Sequence, residues 1–354
     1  MRALAVLAVI QLHYIVSTPF VGDLRVRLPA FESALSMGWC GVDFFFVISG
    51  FLIGGILIDR RNSSNLFQVF FTRRALRILP AYYLLLLILV FVPATAWTSK
   101  AQEVPLWAFF LFIQNFFTSF GLRAGGPFGP LWSIAIEEQF YLLAPGIARF
   151  VSRRAAKILL AAAIFLPPIL RSVMATDWSP IKMSGWDFTP TRVDGLALGV
   201  AGAWLVRTPV ALERLKRARQ LHRVALVLLG FGAVALSQFT RFKGGVRVQT
   251  TIGITYLSVW FLAVLLYAVI HAADSRTARV LRFPALCSAG RVSYSLYLFH
   301  IPALLLVLHW GVRSPLFVLS AAALVLGVCA WASWRWFESP LIANGKRRRY
   351  DPPA

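Results

Sequence analysis

The sequence predicts an all-α integral membrane protein of about ten transmembrane helices, with both termini on the cytoplasmic side. Three observations carry that reading. Apolar residues make up 58% of the chain and charged residues 14%, gathered in runs near the ~20 residues a helix needs to cross a bilayer. The net charge of +22 is held in short arginine clusters between those runs, the pattern of cytoplasmic loops and not of a nucleic-acid-binding surface. One further apolar segment, 105–120, is too short to span and carries Gln114 and Asn115, so it reads as re-entrant or interfacial.

The first element, Met1 to Val16, is an apolar helix interrupted by Gln11 and His13. At ~100° and ~1.5 Å per residue, the step from Arg2 to His13 returns to nearly the same face and covers about 16 Å, half of a ~30 Å bilayer core. A basic start before an apolar run also suits a signal peptide. No small-x-small site follows, however, and the stretch is read as a retained helix. An imidazole near mid-membrane points to function, because an ionisable group at that depth needs a polar cavity.

The remaining apolar runs lie near 38–58, 78–98, 131–150, 155–174, 191–206, 224–240, 250–272, 289–309 and 315–337. With the N-terminus cytoplasmic and 105–120 left out, the inner loops collect Arg60, Arg61, Arg149, Arg153, Arg154, Lys157 and the dense cluster Arg207–Arg223. The opposite side keeps fewer cations, from Arg25 and Arg27 through Arg241, Lys243 and Arg247 to Arg313. A span at 105–120 would invert everything after it and place the densest loops outside. Residues 1–340 therefore read as a single membrane domain and 341–354 as a basic cytoplasmic tail, whose segment Lys346–Ala354 is an anchor with a disordered end. Cys40, Cys287 and Cys329 show no CxxC spacing, and neither a disulfide framework nor a metal site is expected.

Depth then gathers the polar residues. Counted along their helices, Asp43 lies about 8 Å and Glu137 and Glu138 about 10 Å from the outer side, with His13 and His300 about 16 Å above the inner edge. Arg192 and Asp194 open a span from outside, and Arg73, Arg74 and Arg77 guard the inner mouth. Each has a plainer reading. The three arginines suit ordinary positive-inside residues, His300 before Pro302 suits a kink, and adjacent Glu137 and Glu138 point ~100° apart, so one alone faces a cavity.

At these residues the chain resembles the membrane acyltransferase family 3, the O-antigen and Nod-factor acetylase type. The likeness runs through Arg2-x10-His13, Gly41-Val-Asp-Phe-Phe-Phe-Val-Ile-Ser-Gly-Phe-Leu-Ile53 and Arg73-Arg-Ala-Leu-Arg-Ile-Leu-Pro80. It continues in Leu131-Trp-Ser-Ile-Ala-Ile-Glu-Glu-Gln-Phe-Tyr-Leu142, Arg192-Val-Asp-Gly-Leu and Ser293-Tyr-Ser-Leu-Tyr-Leu-Phe-His300. Family members carry residues ahead of the first Arg, often ending Leu-Asp-Gly-Leu, whereas here Met1 abuts Arg2. The likeness covers the membrane domain and not the soluble esterase-like domain of some members.

The resemblance implies a multi-pass protein of the cell inner membrane that transfers an acyl group from cytoplasmic acyl-CoA, with acetyl-CoA the first choice, to a hydroxyl on the far side. The acceptor is a glycan, a glycolipid or a related molecule, in contact with membrane lipid, and no metal is involved. His13 is then a general base or acyl carrier, since imidazole suits proton abstraction near neutrality. Asp43 or Glu138 orients its ring. Arg74 and Arg77, with Arg73 and Arg2, hold the phosphate-bearing donor. Glu137, Arg192, Asp194 and His300 fall to acceptor binding, a serine relay through Ser49 is a further route, and Gly50, Gly54 and Gly55 permit close helix approach.

Two rival readings stand beside this one. A transporter or flippase for a lipid-linked sugar or small anion also explains many spans and a basic mouth, without requiring Arg-x10-His or showing a repeat. A pseudoenzyme scaffold is the other, and intact His13 argues against it. Phe31, Trp178 and Trp186 on the outer side suit either sugar stacking or interfacial aromatics.

Overall fold

A computed structural model describes residues 1–16, 35–91, 102–175, 185–239, 248–271, 276–311 and 314–352. Phe31, Trp178, Arg25, Arg27, Arg241, Lys243, Arg247 and Arg313 lie outside the described residues. Among those described, the chain is helical and has no strand.

The first helix, α1 (Arg2–Gln11), widens into a π-turn at Leu12–Val16. Next come α2 (Gly41–Arg60), α3 (Leu66–Phe91), α4 (Leu106–Phe110), α5 (Gln114–Ser119), α6 (Trp132–Phe150) and α7 (Arg153–Met174). The second half holds α8 (Asp194–Leu205), α9 (Pro209–Arg217), α10 (Arg219–Phe239), α11 (Ile254–His271) and α12 (Arg276–Leu281). It closes with α13 (Pro284–Arg291), α14 (Ser293–His309), α15 (Pro315–Ser333) and α16 (Ser339–Arg347).

Among the described residues, six helical stretches are long and apolar enough to cross a membrane, or up to eight if α8–α9 and α13–α14, bent by 94° and 75°, each count as one span. Two further expected spans fall outside that count: the described part of the first helix is short, and α6 carries Glu137, Glu138 and Arg149. The segment 105–120 forms two helices of 5 and 6 residues, α4 and α5, broken at Phe112 with φ 55°. Neither is long enough to span. Their polar side chains turn inward: Gln114 donates to the Leu131 carbonyl at 2.8 Å, and Asn115 donates to Thr189 Oγ1 at 2.8 Å.

Helix α2 is the axis of the bundle. Its membrane-crossing window is 72% buried, against 11% for α7 and α10, whose Leu, Ile and Phe side chains face outward as lipid-facing residues do. Small residues let α8 cross it backbone to backbone. A Cβ at Gly50 would lie 2.0 Å from the Leu196 carbonyl oxygen, and one at Gly199 would lie 2.2 Å from that of Val47. Such contacts need glycine, because dispersion between closely approached backbones drives helix association in lipid. Gly54 meets Val200 in the same seam, whereas Gly55 meets the Arg207 guanidinium.

Helix α1 lies antiparallel against the start of α2. A Cβ at Gly41 would press on the Ala5 carbonyl, one at Gly38 on that of Ala8, and Gln11 donates to the Leu35 carbonyl at 3.1 Å. Arg2 therefore sits beside the middle of α2, and His13 stands beyond the start of α2.

The tail also departs from expectation. Residues 348–351 fold back onto the turn after α2 instead of trailing free. Ser63 Oγ donates to the Asp351 carbonyl at 2.9 Å, the Asp351 amide donates to Asn65 Oδ1 at 3.0 Å, and Asn65 Nδ2 donates to the Arg349 carbonyl at 3.0 Å.

Candidate active site

A cavity opens between α1, α2, α3, α6 and α14. Its residues follow from helical spacing. On α6, Ser133, Glu137 and Tyr141 recur every fourth position and share one face, and all three line the cavity. On α14, Ser293 and Tyr297 do the same, and Tyr294 joins them. Helix α2 contributes Phe45, Phe46 and Ser49, and α3 contributes Arg74 and Arg77 three residues apart. Arg2 supplies a third guanidinium.

The cavity thus brings three cations to two carboxylates. Ser49 Oγ donates to Glu137 Oε1 at 2.7 Å. Glu138 also lines the cavity, with Oε1 buried and lacking a hydrogen-bond partner. Both carboxylates line the space, although they are ~100° apart on α6. The Arg74 guanidinium lies over the Tyr141 ring, 5.8 Å from its centroid. Ser133 Oγ and the Tyr297 hydroxyl are 2.6 Å apart, and Tyr297 donates to the Pro130 carbonyl at 2.9 Å. Tyr294 donates to the Ile78 carbonyl at 3.0 Å. These bonds fix the wall.

Beyond Tyr297 the wall leads to two imidazoles. The Tyr297 and His300 rings are 5.5 Å apart, and the His300 and His13 rings are 4.9 Å apart at 62°. His13 Nδ1 lies 2.9 Å from the Val9 carbonyl and His300 Nδ1 lies 2.5 Å from the Tyr297 carbonyl. A carbonyl only accepts, so each Nδ1 donates to its carbonyl and Nε2 is the nitrogen each ring has left for chemistry. His300 Nε2 is buried without a hydrogen-bond partner. Tyr14 secures the pair from behind, donating to the His300 carbonyl at 2.9 Å. His13 sits in the π-turn, a local widening frequent at functional sites.

Several expected groupings are not formed. Asp43 does not orient His13, since its Oδ1 accepts from Arg192 Nη2 at 2.7 Å and both side chains are almost fully buried. Nor does Glu138, which lies in the cavity wall. His13 is oriented by its own helix carbonyl instead. Arg192 is packed among the Phe46, Trp132 and Trp186 rings, 5.2–5.9 Å from their centroids, and Trp186 is committed there and to Trp39 at 5.1 Å. Asp194 Oδ2 accepts from Arg171 Nη2 at 2.9 Å and from Thr255 Oγ1 at 2.5 Å. These pairs tie α8 to α2, α7 and α11. Arg73 points away from the cavity and donates to the Arg348 carbonyl in the tail, because neighbours on a helix diverge by ~100°.

Sequence reasoning missed Ser133, Tyr141, Tyr294 and Tyr297, although the four-residue polar spacing on α6 and α14 was a usable signal. It also missed Glu338, which is 2% exposed and accepts from Ser295 and from Ser333, the latter at 3.1 Å. Nothing local marks that residue. Among the described residues no cluster of three His, Cys, Asp or Glu side chains is arranged to hold a metal ion.

Comparison with known proteins gives the family. A family profile described as an acyltransferase domain, that of acyltransferase family 3, matches residues 1–334. The chain is 28% identical over 334 residues to the O-acetyltransferase OatA of Staphylococcus aureus, covering 88% of this chain and 54% of that protein. It is 28% identical over 380 residues to the peptidoglycan O-acetyltransferase OatA of Listeria monocytogenes, covering 98% and 55%. It is 29% identical over 342 residues to the putative peptidoglycan O-acetyltransferase YrhL of Bacillus subtilis, covering 88% and 51%. The chain spans about half the length of these curated relatives. No solved structure matches it. With an all-helical membrane architecture and a profile match over most of its length, the chain belongs to acyltransferase family 3.

Proposed function

We propose that the chain transfers an acetyl group from cytoplasmic acetyl-CoA to a hydroxyl of an extracytoplasmic glycan, with residues 1–340 acting as one acyltransferase domain in the inner membrane. The observation that carries this reading is the single cavity joining Arg2, Arg74 and Arg77 to Ser49, Glu137 and Glu138, with the His13–His300 pair beyond Tyr297. The names of the relatives favour an O-acetyl product on a wall glycan.

The phosphates of the donor belong on the arginine side of the cavity, where planar guanidiniums bind them in pairs of hydrogen bonds. His13 Nε2 takes the proton of the acceptor hydroxyl, the oxygen attacks the thioester carbonyl, and the C–S bond breaks. The thiolate leaves with the proton from the imidazolium. Glu137, held by Ser49, faces the arginines and keeps the polar wall in register.

The test uses inverted membrane vesicles carrying wild-type protein or His13→Ala, with labelled acetyl-CoA outside. Label in extracted glycan or lipid with wild type alone supports the reading and identifies the acceptor. Equal label with both removes His13 from the reaction. Labelled material in neither, in vesicles that still carry the cell's own glycan precursors, overturns the acetyl-CoA assignment.

A further inference from the structure

The segment after α16 is built like a part and not like a tail. Basic runs next to a membrane-spanning helix ordinarily lie against lipid headgroups. Here the run Arg347–Arg349 is followed by Tyr350 and Asp351, and both are fastened to the bundle. Asp351 is held at its amide, carbonyl and carboxylate by Asn65, Ser63 and Ser64. The Tyr350 ring lies under two guanidiniums, Arg73 at 5.1 Å and Arg60 at 5.7 Å. It packs on the apolar cluster that contains Ile78 and Tyr141, two residues that also line the cavity. Gly345 seats the preceding turn on Arg73 and Leu76.

This arrangement has two chemical consequences. The side chains of Arg347, Arg348 and Arg349 remain exposed while their backbone is pinned beside the Arg73-Arg74 step of α3. Arg73 Nε is buried there without a hydrogen-bond partner. A guanidinium N–H left in that state is an unused donor for an oxyanion. Fixing a cationic segment in advance also lowers the entropy lost when it closes on a ligand.

We propose that this C-terminal strap, Arg347–Asp351, forms the outer rim of the donor site and binds the phosphates of a nucleotide thioester, with Asp351 and Tyr350 as the clasp that positions it. The inference rests on the donor reading above and adds residues to it. The shared chemistry is a polyphosphate or phosphate-ester anion, and anionic lipid is the competing source.

The full chain is purified in neutral detergent, and binding of coenzyme A and of adenosine 3′,5′-bisphosphate is measured by calorimetry. Wild type is compared with Tyr350→Ala/Asp351→Ala and with Arg348→Gln/Arg349→Gln. The clasp variant removes an acidic residue, so a purely electrostatic role predicts tighter binding of the anion. A positioned strap predicts weaker binding, by about tenfold (about 1.4 kcal/mol), for the nucleotide fragment as well as for coenzyme A. The arginine variant, whose changes are on exposed side chains, is expected to lose as much without altering thermal unfolding. If wild type binds and both variants bind equally well, the strap inference fails and the donor reading stands. If wild type binds neither probe but sediments with vesicles containing anionic lipid, the run is a lipid anchor and the nucleotide assignment is overturned. Binding to neither probe nor vesicles overturns it as well.

Discussion

His13 and His300 stand ring to ring, 4.9 Å apart at 62°, with each Nδ1 committed to a backbone carbonyl. Residues far apart in the chain thus form a pair, with His300 Nε2 buried and without a hydrogen-bond partner. His13→Gln is expected to lower acetyl transfer by about 10²–10⁴-fold, the span of general acid–base catalysis. For His300→Gln a loss of about tenfold is expected, with donor KM unchanged, because the second ring relays and does not bind. Steady-state rates in vesicles check both, and a full-rate His300→Gln protein would remove that histidine from the proton path.

Arg74→Ala and Arg77→Ala should act mainly on the donor. A contact to a phosphate far from the reacting carbon holds ground state and transition state alike, so KM for acetyl-CoA should rise with little change in kcat. A pure kcat loss at normal KM would assign these arginines to the chemistry. Separate titrations of donor and acceptor distinguish the two cases.

Asp43 and Arg192 form a buried ion pair at 2.7 Å. Removing one partner strands the other charge inside the bundle, which costs about 3–5 kcal/mol. Asp43→Ala and Arg192→Ala are therefore each expected to unfold at markedly lower temperature in detergent. Asp43→Leu/Arg192→Met should recover much of the loss, since a packed apolar pair replaces a desolvated one. Equal stability of the single and double variants would count against direct pairing.

The α2–α8 seam offers a paired test. At Gly50 an added methyl meets a backbone carbonyl at 2.0 Å, whereas at Gly146 of α6 it meets nothing within 4 Å. Gly50→Ala should force the two helices apart and reduce folded yield, while Gly146→Ala should stabilise by about 0.5–1 kcal/mol through helix propensity. Size-exclusion profiles and thermal unfolding report both.

The sequence was most legible where chemistry follows a helical period. Arg74 and Arg77 could be placed on one face from spacing alone, and 105–120 read as too short to span from its length and its Gln114 and Asn115, whereas the same spacing turned only one of Glu137 and Glu138 to the cavity that both line. Two kinds of information were not in the spacing. Stagger between helices depends on where their close contacts fall, and Gly41 against Ala5 sets Arg2 beside the middle of α2. Partner choice depends on tertiary contact. Asp43 selects Arg192, Glu338 selects Ser295 and Ser333, and Tyr350 selects Arg60 and Arg73. None of these pairs shares a local motif.

The Asp43–Arg192 pair also bears on biogenesis. Its members are 149 positions apart, and the helix that carries Asp43 is the most enclosed of the spans. At roughly 5–20 residues per second of synthesis, the carboxylate waits roughly 7–30 s before its arginine is made. Over that interval an ionised carboxylate in lipid carries a cost that the arginine later offsets.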